Sequence, residues 1–447
     1  MELPKKLHLT ATQSLTVGFA AIIFVGGLLL MLPICNKEPG SITFLNALFT
    51  ATSATCVTGL VVYDTFSQFT FWGQLVIILL IQVGGLGFMT MALFFPLVLG
   101  RKIGLRERSN LMEAVSSLQL GGVVRLVKRI LLGTLLVEGC GAILLALRFI
   151  PRFGLLTGSW YGVFHSISAF CNAGFDLMGV LEPYTGLVPY ADDVVVTGVI
   201  MLLIIVGGIG FIVWDDVVDN GLHIRRYTFH ARVALLTTGI LIVGGTLLFL
   251  ISEQDTVLKD LTFGQQLLRA LFQSVTPRTA GFNTIDIAAL SESGSLLTIL
   301  LMLVGAAPGS TGGGVKVTTM AVAMATVFSY MRGATDTNLL RRRIDPALVK
   351  RAFCAIAFYL TLAISGCYIL TLTQNGMPLR DIFLECFSAI GTVGLSTGVT
   401  RQMVGLSRVV LILLMFVGRV GSLTVFMTVT EREEAHLRNP IEKIIVG

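Results

Sequence analysis

Charge is what this chain of 447 residues has least of: Asp, Glu, Lys and Arg make up 13% of it, and 54% is hydrophobic. A soluble domain carries about 25% charged residues, so a water-soluble globular enzyme is excluded and an integral membrane protein is implied. Histidine is scarce too, with five scattered copies, and the seven cysteines (35, 56, 140, 171, 354, 367 and 386) form no CxxC pair. A disulfide framework, a structural metal site and a resident cofactor are therefore not expected. Gly309 to Lys316 has the glycine content of a phosphate-binding loop but lacks Gly-Lys-Ser/Thr and a preceding strand, which removes a nucleotide site. No hydrolytic triad pattern is present, and the reading is of a non-enzyme.

Apolar runs fill most of the chain. They predict an all-α membrane protein with eight spans, at about 14–33, 74–99, 130–150, 194–214, 231–251, 296–329, 352–373 and 406–429. Between them lie shorter mixed segments near 41–55, 159–171, 262–275 and 379–390. Their length suits re-entrant half-helices, which only a protein-lined cavity permits. The first apolar run has no small-residue cleavage site after it, so a retained span is expected.

The formal net charge is +6, but its distribution points to topology and not to nucleic acid. Of the 32 Lys and Arg, 21 fall on one side of the eight spans and 7 on the other; Arg269, Arg278, Lys316 and Arg419 remain within membrane-associated segments. By the positive-inside rule both termini are cytoplasmic in a multi-pass protein of the cell membrane. Asp215 and Asp216, at a span end, read as interfacial.

Glycine is what the chain has in plenty. After each short segment comes one signature: Val57-Thr58-Gly59-Leu60, Asn172-Ala173-Gly174-Phe175, Thr279-Ala280-Gly281-Phe282 and Thr392-Val393-Gly394-Leu395. The glycines are 115, 107 and 113 residues apart, so one unit is written four times. The units are residues 1–100, 101–220 with a basic cytoplasmic segment at 101–129, 221–332 with an intramembrane loop at 305–314, and 333–430; 431–447 form a cytoplasmic tail. Each reads as membrane–pore-loop–membrane, with the short helices starting at Ser41, Ser159, Thr262 and Pro378 and aiming their carboxyl ends at the loops, where the dipole favours a cation. Four loops on the outer face, in pseudo-fourfold arrangement around one axis, make a pore. Thr392-Val393-Gly394-Leu395 is close to the start of the potassium-channel filter, in which backbone carbonyls replace the hydration shell. The second filter glycine is missing from all four copies, so one ion site is expected in place of several.

A second repeat lies in the later span of each unit, at Val83-Gly84-Gly85, Val206-Gly207-Gly208, Val304-Gly305-Ala306 and Val417-Gly418-Arg419. In the first two units close helix packing explains it. The third continues Gly305-Ala306-Ala307-Pro308-Gly309-Ser310-Thr311-Gly312-Gly313-Gly314-Val315-Lys316, which cannot remain helical through mid-membrane and reads as a gate below the filter. In the fourth, Arg419 stands where the others have Gly85, Gly208 and Ala306. An arginine at that depth costs about 2.5–3.5 kcal/mol on insertion scales. Two placements are open: in the cavity under the filter, or paired with Glu113 or Glu138.

With Thr276-Pro277-Arg278-Thr279-Ala280-Gly281-Phe282-Asn283, the glycine-rich loop and Val417-Gly418-Arg419-Val420-Gly421, essentially the whole chain resembles the Trk/Ktr/HKT superfamily of cation transporters, and most of all the KtrB-type membrane subunits of bacterial potassium uptake systems. The resemblance implies a homodimer with one pore per protomer, potassium as the transported ion with sodium as a candidate activator, and a cytoplasmic ring of KtrA-type subunits that binds ATP or ADP. Sodium-preferring plant relatives have Ser at the first filter glycine, and Gly59 stands here. The alternative is a coupled symporter working by alternating access; its inverted repeats are not matched by four copies running in one direction.

Overall fold

A computed structural model of the chain describes residues 11–87, 123–221 and 223–421. Helices dominate. The first repeat contributes α1 (Ala11–Leu30), α2 (Phe44–Thr55) and α3 (Phe71–Leu86). The second contributes α4 (Val123–Phe153), α5 (Leu155–Phe170), α6 (Val194–Gly208) and α7 (Phe211–Asn220). In the third are α8 (Phe229–Ser252), α9 (Phe263–Val275), α10 (Glu292–Leu303) and α11 (Val317–Met331). The fourth has α12 (Pro346–Thr373), α13 (Leu379–Gly391) and α14 (Gly405–Val420). A two-residue hairpin of β1 (Asn338–Leu339) and β2 (Arg342–Arg343) joins α11 to α12.

Short polar residues start these helices. Asp193 accepts from the amides of Val195 and Val196 at the head of α6, Ser291 from Gly294 at α10, and Asp345 from Ala347 at α12. Such caps satisfy amides that have no partner inside the helix. Thr262 and Gln265 form a capping box on α9. Only Gly154, at φ 84°, separates α4 from α5, so the second short helix begins at Leu155 and not at the expected Ser159.

α1, α4, α8 and α12 are long and apolar enough to cross a bilayer; less than a third of each apolar window is buried. Leu136, Ile143, Ile240 and Ile251 face outward, the pattern of lipid-facing surface. The remaining expected spans are modified. The segment at 194–214 is not one straight span: α6 and α7 meet at 96°, because Gly210 takes φ 95° and the Gly208 carbonyl is given to Ala307. The segment at 296–329 is α10 and α11 separated by 304–316. Of the segments at 74–99 and 406–429, residues 88–99 and 422–429 lie outside the described residues, as do Glu113, the tail at 431–447 and most of the basic segment at 101–129.

Contacts between repeats run in sequence and close on themselves. In every repeat the long first helix packs on its own short helix: α1 on α2, α4 on α5, α8 on α9 and α12 on α13. The later helix then packs on the short helix of the next repeat: α3 on α5, α6 on α9, α10 on α13, and α14 back on α2. All four signature loops are thereby brought to one place.

Candidate functional site

The four loops share one backbone form. Val57, Thr279 and Thr392, all β-branched, and Asn172 have φ of 50°, 73°, 51° and 57°. Two residues later Gly59, Gly281, Gly394 and Gly174 take φ of 92°, 80°, 93° and 69°. A β-branched residue at positive φ is a strained outlier that persists only where its surroundings impose it. Here the surroundings are hydrogen bonds back to the short helix. The amides of Thr58, Ala173 and Val393 donate to the Ser53, Ser168 and Ser388 carbonyls at 2.8 Å, and that of Ala280 to Thr276 at 3.0 Å. The Gly59 and Gly394 amides donate to Ser53 Oγ and Ser388 Oγ, both at 3.0 Å.

Glycine is required at the second position for a further reason. A Cβ placed on Gly59 would lie under 3.0 Å from the Ala173 carbonyl oxygen, on Gly174 from Ala280, on Gly281 from Val393, and on Gly394 from Thr58. Each loop offers its middle carbonyl to the glycine of its neighbour, and the fourth returns to the first. Backbone oxygens of Thr58, Ala173, Ala280 and Val393 thus form a ring with no room for side chains. The ring is the floor of a cavity of about 150 Å³ whose lining includes all four glycines, Asp64, Asp176, Asp286 and Arg401. Burial, and then the Asp64 carboxylate, push the Asp176 carboxyl up to about 7.

On the opposite side of the ring lies the glycine-rich segment. A Cβ on Gly312 would collide with Thr279 Oγ1, and one on Gly313 with Thr392 Oγ1, so the loop touches the undersides of two of the ring-forming loops. One leg is hydrogen bonded to the second repeat: Ala307 N to Gly208 O at 2.9 Å, Phe211 N to Gly309 O at 2.7 Å, and Thr311 Oγ1 to Phe170 O at 3.1 Å. The legs pair with each other through Gly305 N and Val315 O at 2.8 Å. Ser310 Oγ donates to Ala307 O at 2.6 Å; Pro308 lacks an amide to continue a helix. Lys316 Nζ reaches back 2.7 Å to the Gly312 carbonyl.

Arg419 completes the enclosure. Its guanidinium donates to the Thr311 carbonyl of the loop and to the Gly84 and Gly85 carbonyls of α3, the last at 2.9 Å. It is therefore not paired with Glu138, whose carboxylate accepts from Gln82 Nε2 at 3.1 Å. The small-residue positions of the first two units pack closely as expected, and Gly418 of the fourth does the same: a Cβ at Gly84, Gly207 or Gly418 would lie under 3.0 Å from the carbonyl oxygen of Thr55, Phe170 or Ile390. Gly305 is the exception, because there the loop folds against itself at Gly313.

Other charged residues singled out in the sequence have partners. Asp216 is a buried cap, accepting from Thr228 N at 3.1 Å and Thr228 Oγ1 at 2.7 Å, while Asp215 pairs with Arg129. Arg269 pairs with Asp192 at 2.9 Å, and Arg278 is buried, donating to Thr238 Oγ1 at 3.2 Å. Sequence reasoning missed the positive φ at Val57, Asn172, Thr279 and Thr392, although their constant place two residues before each glycine was the available signal.

Comparison with known proteins agrees with this architecture. The family described as TrkH, cation transport protein, matches residues 10–437. The chain is 40% identical to the Ktr system potassium uptake protein B of Bacillus subtilis (strain 168), over 99% of this chain and 98% of that protein. It is 39% identical to the potassium/sodium uptake protein NtpJ of Enterococcus hirae, over 98% of each. The fold matches the crystal structure of the potassium transporter TrkH from Vibrio parahaemolyticus with a TM-score of 0.72 at 18% identity, covering 96% of this chain and 87% of that one.

Proposed function

We infer the function from one premise: the chain belongs to the TrkH family of cation transport proteins, and so is a membrane transport protein. We propose that it takes up potassium across the cell membrane through a channel-like pore formed by the four repeats as eight spans in pseudo-fourfold arrangement. One observation carries the reading: the closed ring of carbonyls from Thr58, Ala173, Ala280 and Val393 against four positive-φ glycines. Carbonyl oxygens fixed in a ring can replace the water shell of a cation. Cations are drawn to the ring from both directions of the chain's design, because the carboxyl ends of α2, α5, α9 and α13 point at it and carboxylates line the cavity above it. Both termini then lie in the cytoplasm, with the ring open to the outside.

The 305–314 loop, with Lys316 and Arg419, is the gate in this reading. It lies one side chain below the ring, and its polar contacts are many but individually modest, so a cytoplasmic partner could shift it. A homodimer and a KtrA-type ring binding ATP or ADP fit relatives named as parts of a Ktr system. Sodium is proposed as an activator, in keeping with a relative named for potassium and sodium uptake. Expression in a bacterium deficient in potassium uptake tests the function. Growth on low potassium, with rubidium-tracer uptake competed by potassium far better than by sodium, is expected; Gly281→Ser is expected to weaken that discrimination. A folded, membrane-inserted protein that moves neither ion even after removal of Gly312 and Gly313 from the loop, or a Gly281→Ser variant with wild-type ion competition, would refute the ring as a filter.

A further inference from the structure

Nine residues before each ring glycine, the short helices carry four different side chains: Thr50, His165, Phe272 and Glu385. All four are buried behind the ring, but they behave differently. Thr50 bonds to its own helix, at Asn46 O, and Phe272 is apolar. His165 and Glu385 instead reach across to the outward limb of their loops. His165 Nδ1 lies 2.8 Å from the Tyr161 carbonyl and Nε2 lies 3.3 Å from the Leu177 amide. A carbonyl can only accept and an amide can only donate, so Nδ1 carries the proton and Nε2 is bare. This fixes a neutral ring that holds the chain three residues beyond Gly174. The same ring packs at 6.4 Å from Phe282, next to Gly281 of the following loop.

Glu385 does the corresponding work in the fourth repeat with more bonds. Its carboxylate accepts from Ser396 Oγ and, at 2.7 Å, from Thr400 Oγ1. Ser396 Oγ in turn accepts from the Gly398 amide at 2.8 Å. Ser396, Thr397, Gly398 and Thr400 form part of the wall of the outer cavity just beyond Gly394. A carboxylate with no exposed surface, bonded among the described residues only to hydroxyls of that wall, is a costly group to bury. Because the repeats follow one another around the ring, the second and fourth stand opposite each other.

We propose that His165 and Glu385 are positioning residues of the filter, holding the outward limbs of two opposite loops so that the carbonyl ring keeps the spacing that selects its cation. The inference rests on the reading of the ring as a filter. Neither residue touches the ion path; each acts through the backbone it ties down. Losing the bonds lets the ring relax, which changes ion affinity and discrimination, whereas a purely structural role changes only the amount of folded protein.

The test is rubidium-tracer uptake per folded protein, reading half-saturation for potassium, maximal rate and competition by sodium. His165→Phe is expected to raise half-saturation about 5- to 10-fold, the weight of one lost buried hydrogen bond to the loop; Glu385→Ala, which loses two, is expected to raise it at least as much, and both strengthen sodium competition. Glu385→Gln keeps one acceptor oxygen and is expected to fall in between. If Glu385→Ala does not fold, Thr400→Ala, which removes one donor only, carries the test in the same direction. Glu253→Ala is the control: Glu253 is an equally buried carboxylate accepting from Ser291 Oγ at 2.6 Å and from Thr256, far from the loops in sequence, and should lower stability without altering half-saturation. Gly394→Ser separates the two ideas. If it alters ion competition while the Glu385 and His165 variants leave half-saturation and competition at wild type, the positioning role is wrong and the filter stands. Equal shifts in Glu253→Ala also overturn it, and an unaltered Gly394→Ser variant overturns the filter itself.

Discussion

Replacing Arg419 by alanine should open the transporter. Of the guanidinium's three hydrogen bonds among the described residues, those to Gly84 and Gly85 join α14 to α3, and the one to Thr311 crosses to the loop. A hydrogen bond to a charged group is worth about 1.5–3 kcal/mol, so deleting that latch raises the ratio of open to closed loop by roughly 10- to 150-fold at 25 °C. Charge acts in the same direction: two unit charges 4 Å apart repel by about 4 kcal/mol at an effective dielectric of 20. Arg419→Lys separates these effects. It keeps the charge, but a single ammonium cannot reproduce a planar fork that serves carbonyls of α3 and the loop at once. If the latch dominates, Arg419→Lys recovers most of the gain in flux of Arg419→Ala; if repulsion dominates, it stays near wild type. The geometry favours the latch. The assay is rubidium-tracer flux in proteoliposomes, without a regulatory partner, normalised to the monodisperse fraction and accompanied by a thermal melt. An Arg419→Ala protein that is folded and transports no faster than wild type would refute both forms of the gate.

Removing Gly312 and Gly313 takes away the part of the loop that meets Thr279 and Thr392; flux about tenfold higher is expected, and wild-type flux from a folded deletion would place the main barrier elsewhere. Desolvation in the cavity wall, and then the Asp64 carboxylate, push the Asp176 carboxyl up to about 7, so its charge is present above that pH and lost below it. Half-saturation for potassium should rise by roughly two- to fivefold between about pH 8 and pH 6, the weight of most of one unit charge lost from the cavity wall in a high dielectric; Asp176→Asn should flatten this dependence, and an unaltered profile in that variant would exclude Asp176. Gly84→Ala forces a methyl against the Thr55 carbonyl and should cost about 1–3 kcal/mol or more, read as a lower melting midpoint; an unchanged midpoint would contradict the α2–α3 contact.

The sequence determined by itself what depends on neighbours along the chain. Apolar run length marked α1, α4, α8 and α12, and the recurrence of Gly59, Gly174, Gly281 and Gly394 marked four equivalent loops, because one backbone form needs one local residue pattern. Pro308 and the glycines after it declared a break between α10 and α11 for the same local reason. Tertiary structure decided everything that joins distant repeats. The bend between α6 and α7 was not legible, since it depends on Ala307 taking the Gly208 carbonyl about a hundred residues away. Nor was the partner of Arg419: spacing puts it at the level of Gly85, but only packing of α14 beside α3 and the loop selects carbonyls over Glu138. The strained φ at Val57, Thr279 and Thr392 follows from the same cause. Val and Thr do not choose that conformation locally, whereas Asn tolerates it; at the β-branched positions it is imposed by short helices held in place, each by the later helix of the repeat before it.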